Sequence, residues 1–270
     1  MTDTDVAPAR VREAADRLLS AEREHKPGDP VRDLLGASDI AAAYAVQQRI
    51  IASKLAAGAT QVGRKIGLTS AAVQRQVGVD RPDFGMLLDD MLYRDGDSIP
   101  ISRLLQPRAE GEIAFVLGED IEDPEATPES LFAAIAYASP AIEVVDSRVR
   151  DWDIAITDTV ADNASSGVFV LGSAQLSLAQ FVPRAVSMRM LSNGVEVSAG
   201  NGAACLGDPL AAVAWLARTA IEFGAPLRAG EIVLSGALGP LAPVVAGDEL
   251  SVLIHPLGTV SVKFTEGERA

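Results

Sequence analysis

The chain has 270 residues and a formal net charge of −14, from 23 Lys and Arg against 37 Asp and Glu. That sign argues against nucleic-acid binding and against an anionic membrane surface, and it obliges any anionic substrate to find local cations or a metal. With 48% hydrophobic and 22% charged residues it is an ordinary globular composition, enough for one large domain or two small ones.

Val11, Ala14, Ala15, Leu18 and Leu19 recur at helical spacing, and Lys26-Pro27-Gly28-Asp29-Pro30 breaks the helix they define. A second helix is expected from a cap at Ser38 to about Leu55, with Gly58 after its end. Residues 1–60 therefore read as a helical N-terminal region, and residues 61–270 as a strand-rich catalytic body. In that body short apolar runs alternate with Gly, Pro and Asp, giving expected strands at 62–66, 112–117, 141–145, 167–171, 186–192, 232–235, 249–254 and 258–264. Asn193-Gly194 is a two-residue hairpin signal. Two helices interrupt the strands: Thr127-Pro128 starts one carrying Leu131, Ile135 and Ala138, and Asp208-Pro209 starts another that stops near Gly224. The expected class is α+β.

With only His25 and His255, a metal site or acid–base pair must rest on carboxylates and lysine, which favours Mg²⁺ or Mn²⁺. In Gln106-Pro107-Arg108-Ala109-Glu110-Gly111-Glu112-Ile113 the two glutamates are two apart, so a strand points both to one face. They read either as a solvated strand end or as paired ligands. Glu143 lies inside the apolar run Ala141–Val145, where an unpartnered carboxylate is expensive. It reads either as a third ligand or as the partner of an arginine such as Arg148. Lys65 sits in a glycine-flanked apolar strand and Asp83 follows Pro82 in an expected loop; each has a plain alternative as a strand-end lysine or a turn cap. Ser165 and Ser166 precede a strand and Ser235 ends one, which makes them candidates for holding a substrate carboxylate or simply turn formers. Cys205, the one cysteine, excludes an intramolecular disulfide and reads as a small buried hydrophobe. No run of about 18 apolar residues is present, and the acidic start MTDTDVAPAR lacks the apolar core of a secretory signal, so the expected location is cytoplasmic.

Gly63-Arg64-Lys65-Ile66-Gly67-Leu68-Thr69, Gly78-Val79-Asp80-Arg81-Pro82-Asp83-Phe84-Gly85, Pro107-Arg108-Ala109-Glu110-Gly111-Glu112 and Asp158-Thr159-Val160-Ala161-Asp162-Asn163-Ala164-Ser165 occur in this order. Together they resemble the 2-keto-4-pentenoate hydratase family of the fumarylacetoacetate hydrolase superfamily. The resemblance implies a mixed β-sandwich or roll behind the helical region. It also implies Mg²⁺ or Mn²⁺ on Glu110, Glu112 and Glu143, with Lys65 and Asp83 moving protons. The Lys65 pKa would then be lowered toward neutrality. It implies a small anionic 2-hydroxydienoate or 2-oxo acid substrate, a homo-oligomer, and association with a decarboxylase or aldolase of the same route. A 4-oxalocrotonate-type decarboxylase shares the three glutamates, and a non-catalytic partner of one is a further alternative; Pro82-Asp83 leans toward the hydratases. An acylpyruvate hydrolase ranks lower, because no histidine lies near these motifs.

Overall fold

The computed structural model describes residues 3–70, 74 and 81–267; Gly78-Val79-Asp80 of the second motif lie outside the described residues. The chain begins with α1 (Asp3–Arg23), a short α2 (Arg32–Leu35) and α3 (Ile40–Ala56). The cap of α3 is Asp39, whose carboxylate accepts from the Ala42 N–H, and not Ser38 one residue earlier. Asp158, from far along the chain, binds this region to the body: it accepts from the Val31 and Arg32 N–H groups and pairs with the Arg32 guanidinium at 2.7 Å.

The body contains β1 (Gln61–Gly67), β2 (Asp83–Leu88), β3 (Leu92–Arg94), β4 (Ser98–Pro100), β5 (Arg108–Leu117), α4 (Pro128–Ala134), β6 (Ile135–Val145), α5 (Ile156–Ala161) and β7 (Ser166–Leu171). There follow β8 (Ser187–Ser192), β9 (Val195–Asn201), α6 (Pro209–Glu222), β10 (Ile232–Leu234), β11 (Ala242–Pro243), β12 (Glu249–His255) and β13 (Gly258–Thr265). One mixed sheet runs β2-β1-β10-β5-β6-β7-β3, with β11 also on β5, and a second runs β4-β13-β12-β8-β9. The α+β expectation therefore holds.

Two expected elements change. Thr127 caps α4 through the Ser130 N–H, but α4 stops at Ala134, and Ile135 and Ala138 belong to β6. Extended pairing along the whole of β5, from Arg108↔Val145 to Leu117↔Ile135, outweighs the helical spacing of those two residues. Asp83 does not lie in a loop; it opens β2 and is buried. The Asn193-Gly194 hairpin is present between β8 and β9, both residues at positive φ.

The two sheets pack face to face around β5. A Cβ on Gly111 would lie 2.8 Å from Val252 and 3.1 Å from Met188 of the second sheet, so this face of β5 is core and its other face is left for the glutamates. By length and composition the stretch Gly202–Glu222 is apolar enough to cross a membrane, yet half of its apolar window is buried; Leu210, Val213, Leu216 and Ala217 of α6 are core residues. Cys205 is buried, as expected, with its thiol directed to the Ser235 carbonyl.

Candidate metal centre and active site

Alternation along β5 sends Arg108, Glu110 and Glu112 to one face, and Glu143 of β6 stands directly across from Glu110. The three glutamates offer carboxylate oxygens that all lie within 4.8 Å of one another, in buried surroundings. Lys65 reaches the cluster from β1, along the row Lys65↔Leu234↔Ala114. Its ammonium pairs with Glu143 at 2.6 Å and donates to the Ala164 carbonyl at 2.7 Å; Arg148 is not the partner of Glu143 but pairs with Asp162. Asp83 lies one strand further, on β2, and accepts from the Thr159 hydroxyl at 3.2 Å. Gly67, opposite Asp83, makes room for it: a Cβ there would fall 2.2 Å from Asp83 Oδ1.

The Ala164 carbonyl reaches Lys65 because Asn163, Ala164 and Ser165 are all left-handed, with φ of 54°, 53° and 51°. Such angles are rare for residues with a side chain and persist only when their surroundings hold them. Arg148 does so, donating to the Asp162 carboxylate, the Asp162 carbonyl and the Ser166 carbonyl. Gly85 lets the loop pass, since a Cβ there would stand 2.4 Å from the Asn163 carbonyl oxygen.

Burial and mutual repulsion set the charges. Desolvation and then the neighbouring Glu143 push the Glu110 carboxyl up to about 8, and the same causes raise Glu112 well above the carboxylate range. Burial lifts Asp83 to about 6, against the pull of Lys65. For Lys65 the expected lowering belongs to a lysine beside a divalent cation, and the carboxylates by themselves act the other way. Burial does work against its ammonium, but the carboxylates of Glu143, Glu110 and Asp83 outweigh burial and place it above the ordinary lysine value.

A cavity of about 570 Å³ opens onto this cluster and is lined by Lys65, Asp83, Glu110 and Ser165 of the expected residues. Arg108, Trp152, Ile154, Thr159 and Leu241 also line it, none of which the sequence motifs single out by function. Ser166 faces a different cavity, between α1, α3 and the 162–168 segment, and its hydroxyl donates to the Asn163 carbonyl. Ser235 is fully buried away from both; its hydroxyl accepts from the Ile113 N–H and donates to the Gly236 carbonyl. It is the next residue that serves the cluster: the Gly236 N–H donates to Glu112 Oε2 at 2.8 Å.

Glu112 Oε1 and Glu143 Oε2 are buried without any hydrogen-bond partner among the described residues. Two orphaned carboxylate oxygens beside a third glutamate form a hard, all-oxygen donor set with excess negative charge, which fits one divalent metal ion.

The family model for the fumarylacetoacetate (FAA) hydrolase C-terminal region matches residues 54–265. The chain belongs to the fumarylacetoacetate hydrolase family. It is 52% identical over 267 residues to the TodF product hydratase of Pseudomonas putida F1, covering 98% of this chain and 100% of that one. It is 47% identical over 263 residues to the 2-keto-4-pentenoate hydratase of Paraburkholderia xenovorans LB400, covering 97% and 98%. Among solved structures it superposes on the 4-oxalocrotonate decarboxylase of Pseudomonas putida G7, complexed with magnesium and adipate, with a TM-score of 0.91 and 35% identity over 98% of each chain.

Proposed function

We propose that the chain is a metal-dependent hydro-lyase. It adds water to a 2-hydroxy-2,4-dienoate, by way of the 2-oxo-3-enoate tautomer, and gives a 4-hydroxy-2-oxo acid in the meta-cleavage breakdown of aromatic or steroid rings. The observation that carries this reading is a cluster of three buried glutamates and a buried lysine that meets a cavity at Glu110, Lys65 and the buried Asp83, in a chain similar over nearly its whole length to curated proteins named hydratases.

Glu110, Glu112 and Glu143 would hold one Mg²⁺ or Mn²⁺, which supplies Lewis acidity at the substrate's 2-oxygen, where negative charge collects in both steps. The chain's own groups handle the protons. In ketonisation one proton leaves the 2-hydroxyl and one arrives at the far carbon; in hydration the hydroxyl of water goes to C4 and a proton to C3. Asp83, with a carboxyl near 6, both accepts and donates close to neutral pH, and the Thr159 hydroxyl orients it. Lys65, fixed between Glu143 and the Ala164 carbonyl, offers its ammonium as a donor held at a defined atom. The apolar wall of Trp152, Ile154, Val145 and Leu241 excludes water from the remainder of the substrate.

The likeness to a decarboxylase structure keeps a second reading in view, because loss of CO₂ from 4-oxalocrotonate uses the same electron sink at the 2-oxygen. The deciding experiment offers purified protein, with Mg²⁺ or Mn²⁺, a 2-hydroxydienoate and 4-oxalocrotonate in parallel, and follows each chromophore and CO₂. The expected result is loss of the dienoate chromophore without CO₂ release. CO₂ from 4-oxalocrotonate with an untouched dienoate overturns the hydratase reading, and no turnover of either substrate leaves the non-catalytic partner.

A further inference from the structure

Arg108 opens β5 two residues before Glu110, on the same face, and lines the cavity. Among the described residues no carboxylate pairs with it; its contact is the face of Trp152, with the guanidinium carbon 4.6 Å from the ring centroid. Trp152 is set there by construction. Asp151 and Trp152 are both left-handed, at φ 57°, a conformation that residues with side chains rarely adopt. Gln106 holds them: its carbonyl accepts from the Trp152 indole N–H at 3.0 Å, and its side-chain oxygen accepts from the Asp151 N–H at 2.8 Å. The side-chain amide of Gln106 donates in turn to the Ser147 and Val149 carbonyls, each at 2.8 Å. Strain held in this way at Trp152, against an arginine two residues before Glu110, points to a use for the stack.

The electrostatics supply one. Two buried carboxylates, Glu110 and Asp83, line the cavity, Glu112 and Glu143 are clustered with Glu110, the whole chain carries −14, and the ammonium of Lys65 is already committed to Glu143. Among the described residues, Lys65 and Arg108 are the two cationic side chains that line the cavity, and of these Arg108 has no acid on it. A guanidinium held over an aromatic ring makes no hydrogen bond to it and keeps its N–H groups available, and these match a planar carboxylate with two parallel hydrogen bonds. We propose that Arg108, seated on Trp152, binds a carboxylate of the substrate. The inference rests on the reading of the substrate as a 2-oxo acid. The carboxylate is either the one beside the 2-oxo group or a second one at the far end of a dioic acid.

The test is calorimetric, with Mn²⁺ present and two unreactive ligands, 2-oxopentanoate with one carboxylate and 2-oxoadipate with two, on the parent protein and Arg108→Met. The expected result is weakening on the order of tenfold or more. Weakening of both ligands assigns Arg108 to the carboxylate beside the 2-oxo group, and weakening of 2-oxoadipate alone assigns it to the far end. The melting temperature and Mn²⁺ affinity stay parental, and on the true substrate KM rises more than kcat falls. Should Arg108→Met fail to fold, Arg108→Gln carries the same measurement. Parental affinity for both ligands in a folded variant overturns the proposal. If the parent binds both ligands through Arg108 yet turns over no hydroxydienoate, the hydratase reading falls and the contact stands.

Discussion

Glu110 faces Glu143 across a strand pair with no distance to retreat, and its carboxyl is pushed up to about 8. The folded pKa lies above the unfolded one, so between about 4.5 and about 8 the folded chain binds more protons than the unfolded chain and stability falls as pH rises. Glu110→Gln removes this titration. In chelator-treated protein it raises the melting temperature at pH 8 but much less at pH 5, a comparison that scanning calorimetry makes directly. If Glu110 is a ligand as proposed, Mn²⁺ should raise the melting temperature of the parent, and the same substitution should abolish that rise. Glu112→Ala should likewise abolish Mn²⁺ binding in a calorimetric titration; parental affinity would remove Glu112 from the metal centre. Lys65→Met keeps most of the apolar stem and deletes the ammonium. Turnover should fall on the order of 10²-fold or more, with the protein still folded. Near-parental turnover would return Lys65 to a purely structural ion pair with Glu143.

At the scale of elements, the site depends on β2 and the loop that crosses it. Gly85→Ala places a methyl 2.4 Å from the Asn163 carbonyl oxygen, against backbone that Arg148 holds in place. The loop must shift, and with it the carbonyl that fixes Lys65. The expected cost is about 1–3 kcal/mol in urea unfolding, together with a loss of kcat. This loop also marks where sequence reading stops. The Glu-x-Glu pair was legible because strand alternation alone puts both side chains on one face, and Glu143 because a carboxylate in an apolar run demands a partner. That partner, Lys65, lies on β1, and only the strand order β1-β10-β5-β6 brings the two together. The Ala164 carbonyl and the Gly236 amide are backbone groups, whose identity no side-chain pattern announces. The end of α4 was illegible because Ile135 and Ala138 satisfy a helical period while long-range pairing with β5 decides otherwise. The Arg108–Trp152 stack joins residues 44 positions apart through a strained turn, and turn strain has no signature here beyond ordinary polar residues.

Taken whole, the molecule leaves β9 at the edge of its second sheet with Val195 and Val197 exposed, and Leu253 of nearby β12 is 41% exposed. An apolar edge of this kind is a liability unless it is covered. The expected state in solution is a homo-oligomer, read by light scattering as a multiple of 28.2 kDa; a particle of 28.2 kDa alone at working concentration would count against it.

The ten-residue pairing of β5 with β6 in the middle of the larger sheet carries all three glutamates of the candidate metal centre. Amides in such a ladder exchange with solvent only through the largest openings of a protein. The metal centre is therefore built into the slowest-exchanging part of the fold, and chelation should not unlock it: the amides of residues 110–114 and 139–143 stay protected when the cation is withdrawn. On this expectation an ion bound there would enter a finished mould, the reverse of small domains whose metal is their folding nucleus. The loop at 163–165, fastened by Arg148 at its flanks and by the Asn163 side chain to the Met86 backbone, has no comparable ladder. Deuterium should enter there first, so the grip on Lys65 can loosen and re-form between turnovers while the three glutamates stay in register.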